Sequence, residues 1–195
     1  KHPDDAVRLA ARLRDAGHAF TLRMAGSGPL EPKLREMIAQ NRLEAQVRLL
    51  GSLSPEQVRR EMERSAIFLF TSDRHEGWGA VLNEAMNSGC AVIASDAAGA
   101  TPYLVNDGMN GSVYHSGNIQ ELYEKVRRLL ENTTMQYSFG KAAYQTITES
   151  WNAEVAAKQF LQLSQALLNG TDASGLFING PCSPAKPLRE NWYQR

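Results

Sequence analysis

Glu76 and Glu84 stand with seven residues between them in "HEGWGAVLNEAM" (75–86), and a Gly-Trp-Gly follows the first of them directly. The run before them, "AIFLFTS" (66–72), is nearly all apolar, and after Gly79 the apolar residues Val81, Leu82, Ala85 and Met86 recur at helical spacing. A strand gives way to a helix here. In an open parallel sheet such a junction lies at the carboxyl ends of the strands, where ligands bind. Gly77 and Gly79 let the backbone approach a ligand closely, and the amides of residues 78 to 82, among them Trp78, Ala80 and Val81, make an anion site at the helix start that suits a phosphate. A carboxylate directly against phosphate is repelled, whereas one a group further away accepts hydrogen bonds from hydroxyls. Glu76 before the helix and Glu84 about one and a half turns into it therefore suit a phosphate flanked at both ends by sugars. A nucleoside diphosphate sugar has that layout. Pattern alone also permits a plainer reading: Glu84 falls beside Asn87, off the buried side of its helix, as a solvated charge would.

Those residues need a scaffold, and the rest of the chain reads as one. Ala6, Leu9, Ala10 and Leu13 repeat at helical spacing after Pro3-Asp4, with Gly17 as a stop, and "AFTLRMAG" (19–26) is strand-like. A helix over 30–40 leads to the strand "VRLLG" (47–51), and Ser54-Pro55-Glu56-Gln57 reads as an N-cap, a proline at the first helical position and an acidic first turn. "AIFLFTS" has the composition of a parallel strand covered on both faces. "CAVIAS" (90–95) and "GSVY" (111–114) complete five strands, Asn118 with Glu121 forms a capping box, and a helix from about 152 to 168 closes the domain before Gly170. Strands alternating with helices predict an α/β, Rossmann-like, doubly wound parallel sheet, with a sixth strand expected before Lys1. The expected division is a domain over 1–170 and a tail over 171–195, rich in Gly, Pro and Ser, which is expected to pack across the junction to a second domain, anchored by Trp192 and Tyr193, or to be mobile.

Bulk composition narrows the classes. The 195 residues suffice for one domain with a real core, and 21 basic against 21 acidic residues give no field for nucleic acid or anionic lipid. No apolar run approaches the ~20 residues of a membrane span. Cys90 and Cys182 cannot form a disulfide framework and read as reduced cytoplasmic thiols. The four histidines, His2, His18, His75 and His115, show no metal spacing. The start at Lys1, with no Met, reads as the middle of a longer protein.

"EGWGAVLNEAMNSGCAVIASD" (76–96) resembles the E-x7-E segment of the retaining GT-B glycosyltransferases of family 4, also called glycosyl transferases group 1, with Glu76 and Glu84 at the two glutamate positions. "AGSGP" (25–29), containing Gly26, Ser27 and Gly28, is similar to the family's first glycine-rich turn. "VRLLGSLS" (47–54), containing Leu53, resembles its base-side strand, and "DGMNGSVY" (107–114) its late turn. The resemblance runs from Lys1 to about Leu168 and implies a C-terminal donor domain. Glu76 would be the catalytic-site residue meeting hydroxyls of the transferred sugar, Glu84 would meet the nucleoside ribose, and the amides from Trp78 to Val81 the diphosphate. Lys1 would stand where the family carries a lysine against the diphosphate. Tyr103 departs from the pattern, since many relatives have a Glu after the proline that Pro102 matches.

What the resemblance implies for the whole enzyme is transfer of a hexose from a nucleoside diphosphate sugar to a hydroxyl of a glycan or lipid-linked sugar, with retention and with neither metal nor cofactor. The acceptor would bind an N-terminal domain outside this chain, and the expected location is the cytoplasm, any peripheral membrane contact coming through that other half. Two other readings share the fold: a nucleotide-sugar epimerase or phosphorylase, and a non-catalytic binding subunit.

Overall fold

The computed structural model describes residues 1–186; Trp192 and Tyr193 lie outside the described residues. Helix and strand alternate as α1 (Pro3–Asp15), β1 (Leu22–Ala25), α2 (Glu31–Gln40), β2 (Val47–Gly51), α3 (Pro55–Glu63), β3 (Ile67–Phe70), α4 (Ala80–Asn87), β4 (Ala91–Ser95), α5 (Thr101–Leu104), β5 (Gly111–Tyr114), α6 (Ile119–Glu131), α7 (Thr133–Gln145) and α8 (Ala153–Leu168). A π-helical turn, Thr146–Ser150, joins α7 to the segment before α8. All strand pairs are parallel.

Each expected strand forms, but not as one sheet. Among the described residues β1 pairs only with β2, while β3, β4 and β5 make a second sheet in that order. Between them runs an apolar cleft of about 90 Å3, lined by Leu22 of β1, Ile67 and Leu69 of β3, Leu9 and Leu13 of α1 and Val126 of α6. Helix α1 is the wedge that joins the two sheets. Its Val7 and Ala10 pack with Leu34, Ile38 and Val47 of the first, while Leu9 and Leu13 pack with Ile93, Leu122 and Val126 of the second.

The expectation that β3 is covered on both faces fails: only Phe70 of its four residues is buried. Its free edge borders the cleft, so Ile67 and Leu69 keep part of their surface. The strand with that property is β4, buried at all five residues. Successive side chains of a strand point to opposite faces. Val92 and Ala94 accordingly meet Leu82, Met86 and Ile147 on one side, while Ala91 and Ile93 meet Leu9, Leu122 and Phe139 on the other.

Caps stop and start the helices largely as read. Ser54 Oγ accepts from Gln57 N (3.3 Å) while Gln57 Oε1 accepts from Ser54 N (2.8 Å), a complete capping box for α3. At α6 only half of the expected box forms. Asn118 Oδ1 accepts from Glu121 N, but the Glu121 carboxylate accepts from His115 N at 2.9 Å instead of turning back to Asn118. Cys90 is wholly buried just before β4, and its thiol donates to Met62 O and Ser65 O; burial pushes it up to about 11, leaving an unreactive structural thiol.

Helix α7 has no counterpart in the sequence reading. "TTMQYSFGKAAYQ" lacks a clean apolar stripe and has Gly140 in mid-helix, a residue that ordinarily weakens a helix. Packing overrides propensity here: a Cβ on Gly140 would lie 2.2 Å from the carbonyl oxygen of Gly89, so only glycine lets α7 press against the turn before β4. We expect Gly140→Ala to destabilise the chain by about 1–3 kcal/mol, the overpacking cost exceeding the gain in helix propensity. Urea unfolding tests this through the transition midpoint. A midpoint equal to or above that of the unaltered chain would show that the contact is not limiting.

Candidate functional site

The residue after β3, Thr71, and the loop behind it bring three segments together. Thr71 Oγ1 donates to the carbonyl oxygen of Lys1 (2.8 Å), and the Lys1 ammonium reaches Glu76 Oε2 at 3.1 Å. Glu76 is only 20% exposed at its side chain, against 75% for Lys1, so the carboxylate is the fixed member of the pair. Asp73 organises the loop itself. Its Oδ1 accepts from the backbone N–H of His75 (3.0 Å), and its carbonyl accepts from Glu76 N (3.0 Å), closing a tight turn that aims Glu76. The other oxygen, Oδ2, accepts from His2 Nε2 at 2.7 Å. Burial by itself would raise the Asp73 carboxyl, but hydrogen bonds from His2, from the His75 amide and from the His75 ring, with the charge of His2, outweigh it and hold Asp73 well below the usual carboxylate range.

The Gly-Trp-Gly that follows is braced from the side. Gly99 N donates to Glu76 O (3.4 Å) and Ala100 N to Trp78 O (2.9 Å), so the loops after β3 and β4 share backbone hydrogen bonds. A Cβ on Gly99 would sit 1.7 Å from the carbonyl oxygen of Gly77, which fixes glycine at position 99. The two glycines of the motif differ in purpose. A Cβ on Gly77 would face open space, as close approach of a ligand requires, whereas Gly79 has φ +88° and a Cβ there would lie 2.3 Å from the Phe70 ring. Gly79 is thus demanded by packing and backbone conformation, not by ligand access.

Trp78 does not wedge between the loop and the sheet. Its ring lies 5.6 Å from Tyr103 and 5.6 Å from Trp151, its indole N–H donates to Asn83 Oδ1 (2.9 Å), and 38% of the residue stays exposed. Phe70 fills the space beneath the loop, so the indole turns outward into an aromatic cluster on the rim. Tyr103, where the family pattern has a carboxylate, is a member of that cluster. The described end of the tail reaches it too: Lys186 N donates to Tyr103 Oη at 3.3 Å, so residues after Gly170 fold back on this domain as far as they are described.

Helix α4 starts at Ala80 with Gly79 as N-cap and no side-chain cap. The first amides of a helix lack intrahelical acceptors, so those of Ala80 and Val81 project from the same turn that carries Glu76. Glu84 is exposed, on the side opposite the buried Leu82, Ala85 and Met86, and its carboxylate has no protein partner among the described residues. The glycine-rich turn after β1 forms a second group at the carboxyl edge. Gly26 N donates to Gly51 O (2.7 Å), and Ser27 Oγ lies 2.7 Å from Ser52 Oγ, next to the half-buried Leu53. Gly26 has φ +125°, and neither it nor Gly28 would meet anything within 4 Å if given a Cβ, so both face open space. Lys1 and Glu76 are thus joined in one constellation and Gly26, Ser27 and Leu53 in another. Both lie at strand carboxyl ends, with no hydrogen bond or ion pair between the two recorded among the described residues.

Sequence reading missed Thr71, Asp73, His2 and Gly99 as parts of the site. Asp73-Arg74-His75 does carry a signal, an Asx turn right after a strand. His2 and Gly99 carry none, because their partners lie 71 positions away and in another loop. Among the described residues no three His, Cys, Asp or Glu converge as metal ligands, and no helix is long and apolar enough to cross a membrane.

The sequence profile of "Glycosyl transferases group 1" matches residues 1–146. The chain is 27% identical over 163 residues to poly(ribitol-phosphate) alpha-N-acetylglucosaminyltransferase of Staphylococcus aureus, covering 84% of this chain and 32% of that one. It is 28% identical over 167 residues to the amylovoran biosynthesis glycosyltransferase AmsK of Erwinia amylovora, covering 83% and 41%. The chain therefore spans well under half the length of these curated relatives. A crystal structure of an S. aureus TarM mutant, in complex with Fondaparinux, alpha-GlcNAc-glycerol and UDP, superposes with a TM-score of 0.76 at 26% identity, covering 83% of this chain and 32% of that one. With the parallel sheets, the flanking helices and a profile match over residues 1–146, this chain belongs to the glycosyl transferases group 1 family, with the Rossmann-like fold of GT-B glycosyltransferases.

Proposed function

We propose that this chain is the donor-binding part of a glycosyltransferase that moves a hexose from a nucleoside diphosphate sugar to a hydroxyl of a glycan or lipid-linked sugar, with retention. The observation that carries the reading is the meeting of Lys1 and Glu76 at 3.1 Å, one turn before the amides that open α4. A diphosphate on those amides gains from the helix dipole and from the Lys1 ammonium, and needs no metal for charge neutralisation. Glu76, a residue away from Gly77, is then set past the phosphate for hydroxyls of the transferred sugar. It orients that sugar while the leaving phosphate assists front-face attack, and does not act as a covalent nucleophile. Glu84, exposed and without a protein partner among the described residues, takes the ribose hydroxyls. Gly26, Ser27, Gly28 and Leu53 line the nucleoside side. The presence of UDP in the TarM complex supports a nucleoside diphosphate as the ligand class. The acceptor belongs to a second domain outside this chain, which by itself should bind donor and not turn it over.

The two glutamates should separate on titration with UDP. Losing a charged acceptor from a partly buried hydrogen bond typically costs ~1.5–3 kcal/mol, so Glu84→Gln should weaken UDP roughly tenfold to a hundredfold. Glu76→Gln should leave UDP within about twofold, because the half-exposed ion pair it releases is worth little. Equal UDP affinities for Glu84→Gln and the unaltered chain would return Glu84 to the solvated surface. A second titration addresses the ion. Binding of UDP at millimolar concentration should persist in EDTA, and binding that appears only when Mg2+ is supplied would overturn the metal-free arrangement.

A further inference from the structure

His2 has a backbone that its sequence does not favour. It sits at φ 43°, ψ 54°, in the left-handed region, and is followed by Pro3, which ordinarily holds the preceding residue extended. A side-chain-bearing residue stays in such a conformation when its surroundings hold it there. Asp73 supplies that hold. The ionised carboxylate can only accept, so His2 Nε2–H is the donor of the 2.7 Å bond, and the two side chains are 21% and 14% exposed.

The neighbouring residue shows what is being held. The Lys1 carbonyl takes the Thr71 hydroxyl at 2.8 Å, so the chain entering α1 is fastened to the segment 71–73 at two successive residues. The Lys1 side chain is mostly in solvent, yet it lies 3.1 Å from Glu76. An exposed lysine loses much of its charge interaction to side-chain entropy and screening unless its backbone is fixed beforehand. The half-buried imidazole is that fixed point.

From this geometry we propose that His2 is a positioning residue, which by fastening the start of α1 to Asp73 sets Lys1 where its ammonium meets the diphosphate of the donor. The proposal rests on the donor reading above. Asp73 then has two tasks through its two oxygens: Oδ1 shapes the turn that aims Glu76, and Oδ2 fixes His2 and through it Lys1. The carboxylate and the ammonium that flank the proposed anion site are both set from one half-buried carboxylate, Asp73.

A double-mutant cycle read by NMR titration with UDP tests this, using Lys1→Met, His2→Asn and the two combined. Asparagine tolerates the left-handed backbone while giving up the imidazole's reach. Lys1→Met should weaken UDP about tenfold and His2→Asn about three- to fivefold, with folding unchanged by circular dichroism. The combined variant should bind no more weakly than Lys1→Met alone, because His2 acts through Lys1. Losses that multiply in the combined variant, or a folded His2→Asn that binds UDP as the unaltered chain does, would overturn the proposal. If His2→Asn fails to fold, Lys1→Met and Asp73→Asn are compared instead. Asp73→Asn must then weaken UDP in the presence of Lys1 and add nothing in its absence, and any other result counts against the role. Failure of the unaltered chain to bind UDP would instead refute the donor reading itself, so the two failures are distinguishable.

Discussion

The complete burial of β4 constrains everything else. A strand with no residue exposed can satisfy its amides and carbonyls only through ladders on both edges, which β3 and β5 provide in parallel register from Ile67↔Ala91 to Ser95↔Tyr114. Parallel neighbours need crossovers, and the crossovers supply the helices that cover the two faces. Small residues matter as much as large ones in this layer. Ala91 and Ala94 alternate with Val92 and Ile93, and Gly140 lets α7 touch the turn that leads into the strand. Once β3, β4 and β5 point the same way, the segments leaving them gather at one edge.

At that edge the site is built from backbone contact more than from side chains. The loop bearing Glu76 is fixed by Asp73 beneath it, by Phe70 under Gly79, and by Gly99 and Ala100 beside it. Each restraint comes from a different element, and two of them depend on the absence of a Cβ. The charged groups meet within that frame. Lys1 arrives from the beginning of the chain, Glu76 from the loop after β3, and the α4 amides from the following turn. A preorganised arrangement of this kind avoids the reorganisation that flexible surface charges require.

The rim has a different character. Trp78, Tyr103 and Trp151 come from three elements and form one aromatic cluster beside the carboxyl edge, with Lys186 over the Tyr103 ring at 6.0 Å. Offset and edge-on contacts of this sort contribute about 0.5–1.5 kcal/mol per pair beyond the apolar area they bury. Here they tie the Trp78 indole to α5 and to the turn before α8, and the described tail reaches the same place.

Local signals in the sequence determined much of this protein. Periodicity at Ala6, Leu9, Ala10 and Leu13 marks α1, the apolar run at 90–95 marks a strand, and Ser54-Pro55 marks the start of α3 to the residue, because each depends on interactions within a few positions. Glu76 stands in a local pattern of the same kind, a carboxylate before a glycine turn, and the structure sets it beside Lys1. The tertiary structure alone decided the rest. It split the strands into two sheets, held α7 in place against its own propensity, turned Trp78 outward onto two rings, and fastened His2 to Asp73 across 71 positions. None of these has a local signature, since each is settled by which surfaces find one another after the strands align. Packing through missing Cβ atoms and hydrogen bonds between distant loops are properties of that alignment, not of any stretch of residues that can be read alone.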